Sequence, residues 1–444
     1  MFKGHPKGLM VLFFTEMWER FGFYTMLALF TLYMKHYFGW DTDKSGQVYG
    51  LYLAFVYFTP LIGGYIADKY LGYRKTINIG AAILMVGYAL LAVPNPSEMF
   101  FYFALIVLVV GNGLFKANIS VLVGNLYDNN SPLKDAAYNI FYMGINIGAF
   151  LAPLAASFLR NKAPIYIKNW FGINVNGFNL AFGAAAIGML LSLVIFNVYK
   201  EFYLDSDRVK HEEASLNGKE ISPEQEKERI FALLVIFFIV IFFWMAFHQN
   251  GFALTLFADE SVKRSITIFG YTLTIPPELY QVFNPLFILI LTPVVVGFFG
   301  YLARKGKEPS TPAKIGIGML LTGFAFLIMV AASLAGGDLN NNSVSPMWLI
   351  STYMVVTFGE LCLSPMGLSF VSKVAPPRIK GLMMGGWFVA TAIGNYLAGF
   401  VGRYYHKWPH SKFFLLLSVL AFVSFGLVML SLKKLNHATR EEID

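Results

Sequence analysis

Apolar runs long enough to cross a bilayer recur along the chain, parted by short polar turns. A spanning helix needs about 20 mostly apolar residues. Twelve segments meet that need: 8–36, 46–67, 76–94, 98–124, 137–159, 178–200, 230–257, 278–302, 313–335, 346–372, 381–402 and 412–432. Several are longer than the hydrocarbon layer requires, so they tilt or extend past it. One long polar interruption, "EFYLDSDRVKHEEASLNGKEISPEQEKER" (201–229), parts the spans six and six. The pattern predicts an all-α integral membrane protein of 12 transmembrane helices in two six-helix bundles. The bundles are 1–200 and 230–444, joined by a cytoplasmic linker, 201–229, with some amphipathic helix.

Composition agrees. The chain is 57% hydrophobic and 14% charged, whereas a soluble domain is roughly a quarter charged. Its 44 Phe and 24 Tyr suit lipid contact and anchoring at the membrane interface. A single cysteine, Cys362, excludes an intrachain disulfide and a cysteine-based metal cluster. The formal charge of +8 follows from the positive-inside rule, and no nucleic-acid partner is implied. With both termini cytoplasmic, the inner loops hold most of the Lys and Arg, including Lys69, Arg74, Lys75, Arg304, Lys305, Lys307 and Lys433. The first run is a span and not a cleavable signal, because it is too long and carries three charges. These features predict a multi-pass protein of the inner (plasma) membrane, acting as a monomer in the lipid bilayer.

The halves echo each other. "GYIADK" (64–69) closes the second span and "GYLARK" (300–305) closes the eighth, at equivalent places. Two six-helix halves related by a pseudo-two-fold axis along the membrane normal form the major facilitator architecture. "GGYIADKYLGYRK" (63–75) resembles that superfamily's cytoplasmic loop motif, with Asp68, Arg74 and Lys75 as a gate-side charge cluster. A plain positive-inside loop is the competing reading.

Ionisable residues well inside the spans are few. They are Glu16, Glu19 and Arg20 in the first span, Lys116 in the fourth, His248 in the seventh and Glu360 in the tenth. In a major facilitator arrangement these four spans line the central cavity. A charge at the bilayer centre costs at least ~2.5–3.5 kcal/mol on insertion scales, so these groups face water or one another. Glu16 and Arg20 are an i,i+4 pair in the favourable order. The stripe reads either as a structural ion pair or as machinery. As machinery, Arg20 and Lys116 attract a carboxylate, which Arg grips bidentately. Glu360 attracts a cation such as an ammonium, and together they fit a zwitterion. Glu16 and Glu19 can carry protons.

Five stretches resemble the proton-dependent oligopeptide transporter family of the major facilitator superfamily. "EMWERFGFY" (16–24) is similar to its ExxERFxYY signature, with Phe23 in place of the first tyrosine. "GNGLFKANIS" (111–120), "FYMGINIGAF" (141–150), "GELCLSPMGLS" (359–369) and "GGWFVATAIGNYLAG" (385–399) resemble later motifs. The resemblance implies symport of di- and tripeptides with protons, the proton being the coupling ion and no cofactor being needed. It implies that Arg20 and Lys116 receive the peptide C-terminus and Glu360 the amine. Proton coupling would involve Glu16, Glu19, Arg20 and Lys116. Tyr24, Tyr57, Asn146 and Asn284 would line the peptide backbone, and Trp387 a side-chain pocket; packing is the competing reading for these five. The linker is too short and charged for the two extra helices of many bacterial members. His248, in "WMAFHQNGF" (244–252), resembles the histidine of plant nitrate transporters of the family. It could bind an anion, shuttle a proton or close a hydrogen-bond network. The alternative function is therefore a proton-coupled nitrate or other small-anion transporter using His248, in which Glu360 is hard to explain. No HExxH or GxGD motif supports an intramembrane enzyme, and nothing resembles a channel filter.

Overall fold

The computed structural model describes residues 4–127, 133–207, 222–268, 271–376 and 379–439. Its long helices follow the apolar runs. They are α1 (Lys7–His36), α2 (Thr42–Ile66), α3 (Tyr73–Leu91), α4 (Glu98–Asn125) and α5 (Lys134–Asn161). A short α6 (Ala163–Phe171) precedes α7 (Gly177–Val198). Then come α8 (Pro223–Phe247), a short α9 (Ala253–Glu260), α10 (Phe283–Arg304), α11 (Thr311–Ala335), α12 (Pro346–Val374), α13 (Lys380–Gly402) and α14 (His410–Thr439). Among the described residues, 11 helical segments are long and apolar enough to cross a membrane. The 30-residue α1 is outside that set, where its three clustered charges leave the apolar window short. The middle of the expected linker, 208–221, lies outside the described residues.

Several helices begin where sequence chemistry says they should. Ser222, Ser310 and Ser345 each cap a helix whose first turn holds a proline. The hydroxyl satisfies a backbone N–H that the helix leaves open, and proline has no N–H to waste there. Ser222 and Gln225 complete a reciprocal capping box.

Three features depart from the hydropathy pattern. The seventh apolar run is not one helix: α8 gives way to a 3₁₀ turn over His248–Gly251 before α9. The sequence there is His-Gln-Asn-Gly, and Asn and Gly are poor helix formers. A two-stranded antiparallel hairpin follows, with Ser265–Ile268 paired to Tyr271–Thr274. Its Ile, Thr and Tyr side chains suit a pleated strand. The third is α6, which exposes Ile165, Tyr166, Trp170 and Phe171.

The chain forms two compact units. The first comprises Met1–Trp40 and Phe55–His211, and the second Asp41–Ala54 and Glu212–Asp444. In the first, α1 packs on α5 and α7, and α3 on α4 and α7. In the second, α11 packs on α12 and α14, and α8 on α13 and α14. The opening of α2 belongs to the second unit. There the Arg403 Nε donates to Asp43 at 2.6 Å and the Lys407 ammonium donates to the same oxygen at 3.2 Å. A Cβ at Gly399 would lie 2.2 Å from the Gly46 carbonyl oxygen, so only glycine lets α13 pass this close to α2.

Candidate transport site

The first unit gathers the charges of α1. Glu16, Glu19 and Arg20 are each at most 2% exposed. Their stripe is one helical face, and α5 holds it in place. A Cβ at Gly148 would stand 2.4 Å from the Met17 carbonyl oxygen and 3.1 Å from the Arg20 Cβ. Glycine there is what brings α5 onto the charged face.

Arg20 is held mainly by its neighbour. Its Nε donates to one Glu19 oxygen and its Nη2 to the other, the latter at 2.7 Å. Such two-point pairing is the strong form of the Arg–carboxylate contact. The Glu16 Oε1 is 3.3 Å from the Arg20 Nε, so the i,i+4 pair expected from the sequence exists as the weaker partner. The other Glu16 oxygen, Oε2, is buried without a hydrogen bond among the described residues. An ionised carboxylate bears that poorly, because a buried acceptor left open costs its full desolvation. A proton on this oxygen removes the charge.

Asn112 closes the cluster. Its side-chain oxygen accepts from the Arg20 Nη2 at 3.4 Å, and its nitrogen donates to the Val56 carbonyl at 2.8 Å. Sequence reasoning missed Asn112. The signal was its place in "GNGLFK", one turn before Lys116. Lys116 sits within electrostatic reach of Arg20, Glu19 and Glu16. Its ammonium lies 4.2 Å from the centroid of the Tyr57 ring, a cation–π contact that tolerates charge without a counter-ion. Arg20 likewise stacks 4.8 Å over Phe23, the residue that departs from the family pattern. Tyr24 is half-buried beside Phe23. Asn146 is buried on α5, and its amide donates to the Tyr142 carbonyl of its own helix.

In the second unit one buried carboxylate sits among neutral hydrogen-bond partners. Glu360 on α12 is 9% exposed and accepts from the Asn284 amide at 2.8 Å. The same amide donates to the Thr357 hydroxyl, which donates to the Tyr353 carbonyl. The Tyr353 hydroxyl continues the path to Asn250 in the 3₁₀ turn. Thr357, one turn before Glu360, was not foreseen.

Two further expected site residues, His248 and Trp387, have these surroundings. The His248 Nδ1 is 3.2 Å from the Trp244 carbonyl, and its ring packs on Trp244 and Phe247. Its own carbonyl accepts from the Tyr49 hydroxyl at 2.9 Å. These contacts close the helix break. Trp387 is 3% exposed inside an apolar core with Leu233, Ile236, Val240 and Phe370. At the loop motif, Asp68 accepts from the Tyr73 hydroxyl at 2.7 Å instead of pairing with Arg74 or Lys75. The Arg74 backbone N–H donates to Asp207, so the motif fastens the chain that follows α7.

A family model described as PTR2, POT family, matches residues 74–215 and 217–414. The chain belongs to the POT family. That family consists of transporters and not enzymes. The peptide transporter YePEPT of Yersinia enterocolitica is 30% identical over 90% of this chain and 88% of its own length. Among solved structures, a variant of the peptide transporter POT in complex with alafosfalin superposes with a TM-score of 0.87 at 29% identity, over 99% of this chain and 97% of that one. A POT family transporter in complex with 5-aminolevulinic acid does so with a TM-score of 0.83 at 27% identity, over 99% and 98%. The chain is thus a multi-pass membrane protein of the major facilitator fold.

Proposed function

We propose that this POT family member is a proton-coupled symporter importing di- and tripeptides across the inner membrane by alternating access. The observation that carries the reading is the contrast in buried charge. The cluster on α1 and α4 holds two cations against two carboxylates, and Glu360 on α12 is a carboxylate held by the neutral Asn284 amide. A peptide zwitterion supplies what each lacks. The relative from Yersinia is named a peptide transporter. The ligand of one structural neighbour, 5-aminolevulinic acid, carries an amine at one end and a carboxyl at the other.

Arg20 and Lys116 receive the peptide carboxylate, and Glu360 the ammonium. A proton on Glu16 Oε2 cancels one negative charge in the cluster, and the excess positive charge draws the carboxylate in. Tyr24 and Tyr57 border the peptide backbone. Asn284 holds Glu360 in orientation. Proton release toward the cytoplasm restores the Glu16 charge, which competes for Arg20 and expels the peptide. All the charges needed lie in one chain, so a monomer suffices.

Uptake into proteoliposomes under an inward proton gradient tests this, with labelled dialanine and nitrate side by side. Dialanine accumulates in a manner that a protonophore abolishes. Glu16→Gln loses the response to the gradient but retains peptide exchange at equal pH on both sides. Gradient-driven accumulation at the wild-type rate in that variant would falsify the role of Glu16. The small-anion reading has less support: Glu360 repels anions, and the His248 ring contacts the end of α8 through its Nδ1.

A further inference from the structure

A second charged feature lies outside this machinery, at the end of the second unit where α8 begins and α14 ends. A cleft of about 790 Å³ there is lined by Lys227, Glu228, Phe231, Lys433, Lys434 and His437. Three lysines meet one carboxylate, whose Glu228 Oε2 lies 3.6 Å from the His437 Nε2. No ion pair joins the three lysines to an acidic partner among the described residues. The Lys434 ammonium lies 5.8 Å from the centroid of the Phe231 ring. The cleft therefore has a cationic mouth over an aromatic floor.

What lies along the helices from that mouth identifies the occupant. From Lys227, one face of α8 continues through Phe231, Leu234 and Phe238, each more than half exposed. From Lys434, one face of α14 continues through Leu430, 86% exposed, to Val423. Both helices are long apolar spans, so these side chains meet lipid tails. The lysines stand where the apolar runs end, at headgroup level. A soluble anion would use the lysines alone. A phospholipid uses the lysines and both stripes.

We propose that this cleft is a binding site for an anionic phospholipid. Its phosphate lies among Lys227, Lys433 and Lys434, and its acyl chains run along Phe231, Leu234 and Leu430. Basic recesses between spanning helices suit such headgroups. The bound lipid bridges the first turns of α8 to the last two turns of α14, next to the His437–Glu228 contact.

The test is native mass spectrometry of the full chain released from detergent, titrated with phosphatidylglycerol or phosphatidylcholine of the same acyl chains. Phosphatidylglycerol is expected to bind preferentially. Lys227→Gln/Lys433→Gln/Lys434→Gln should weaken it about tenfold or more, since each lysine near an anionic surface contributes severalfold in affinity. Lys433→Arg/Lys434→Arg should retain it. The single variant Lys434→Gln, which leaves most of the site intact, gives a smaller loss if the triple variant does not fold. Equal binding of the two lipids overturns the proposal, as does an unchanged affinity in the glutamine variants. Displacement by glycerol phosphate at matched concentration would make the cleft a soluble-anion site and overturn it too. The chain cut after Thr439 is run in parallel, because residues 441–444 are Glu-Glu-Ile-Asp. Preference for phosphatidylglycerol only in the cut chain would assign the cleft to that acidic end instead.

Discussion

The Arg20 cluster of the first unit and Glu360 of the second solve the problem of buried charge in opposite ways. In the first, charge is met with charge: Arg20 is gripped by Glu19, approached by Glu16, and shares its surroundings with Lys116. In the second, Glu360 is met by an amide and, behind it, a hydroxyl, with no cation hydrogen-bonded to it among the described residues. The first arrangement can change its net charge by taking up one proton, so it can switch. Under the proposed function, the second takes its counter-ion from the peptide ammonium. A transporter for a zwitterion needs both, and the contrast separates what a mutation does to folding from what it does to binding.

The largest expected effect tests the self-neutralised unit. Glu19→Ala removes the two-point partner of Arg20 and leaves a buried guanidinium short of a counter-ion. Breaking a buried pair in this way costs about 3–5 kcal/mol. Thermal unfolding in detergent should show a large fall in stability together with loss of uptake. A variant as stable as wild type would mean that Glu16 and Asn112 can hold Arg20 unaided.

Next comes the other side of the comparison. Glu360→Gln preserves an acceptor for Asn284 and removes the charge, so stability should change by no more than about 1 kcal/mol. Binding should suffer, because truncating one member of a desolvated charge pair costs roughly 2–5 kcal/mol. The KM for dialanine should rise at least about thirtyfold, while N-acetyl-dialanine, which has no ammonium, should be affected little. An equal effect on both substrates would remove Glu360 from amine recognition. Asn284→Ala should act more weakly. It frees Glu360 to turn, and the loss of one hydrogen bond to a charged group is worth about 1.5–3 kcal/mol. The dialanine KM should rise about tenfold, with kcat nearly unchanged.

Much of this comparison could be read in the sequence, and the physical reason is simple. Charge inside an apolar run is so costly that every instance carries meaning. Glu16, Glu19, Arg20, Lys116 and Glu360 therefore stood out at once. Neutral polar residues gave no such signal. Asn112 and Thr357 sit among apolar neighbours without much cost, and only the fold shows which partner each one meets. The helices were legible for a related reason, since runs of twenty apolar residues have few alternatives. Hydropathy averages over windows, and so it passed over the break at His248–Gly251, whose flanks are strongly apolar. It also passed over the hairpin and α6, which are too short to register. Arg20 shows a further limit. Helical spacing favours the i,i+4 partner, yet the closest contacts depend on rotamers, and the adjacent Glu19 reaches two guanidinium nitrogens.

Trp387 gives the smallest expected effect and the sharpest division between packing and binding. Family resemblance makes it part of a substrate pocket. In the structure its ring is buried among Leu233, Ile236 and Phe370, and a Cβ on Gly367 of α12 would lie 1.9 Å from it. A side chain so enclosed contributes through packing, and shortening it removes buried surface without touching a ligand. Trp387→Phe should therefore lower the unfolding temperature modestly, by about 1–2 kcal/mol in stability. The KM values for dialanine and for a bulkier dipeptide such as Ala-Phe should move together, within about twofold, since a factor of two is only ~0.4 kcal/mol. If the two KM values part by more than tenfold while stability holds, Trp387 belongs to the pocket. The apolar core of the second unit would then have to open during the transport cycle. If they move together, the second unit recognises peptides through the carboxylate of Glu360 and the groups that hold it, and the tryptophan keeps α12 and α13 packed behind them.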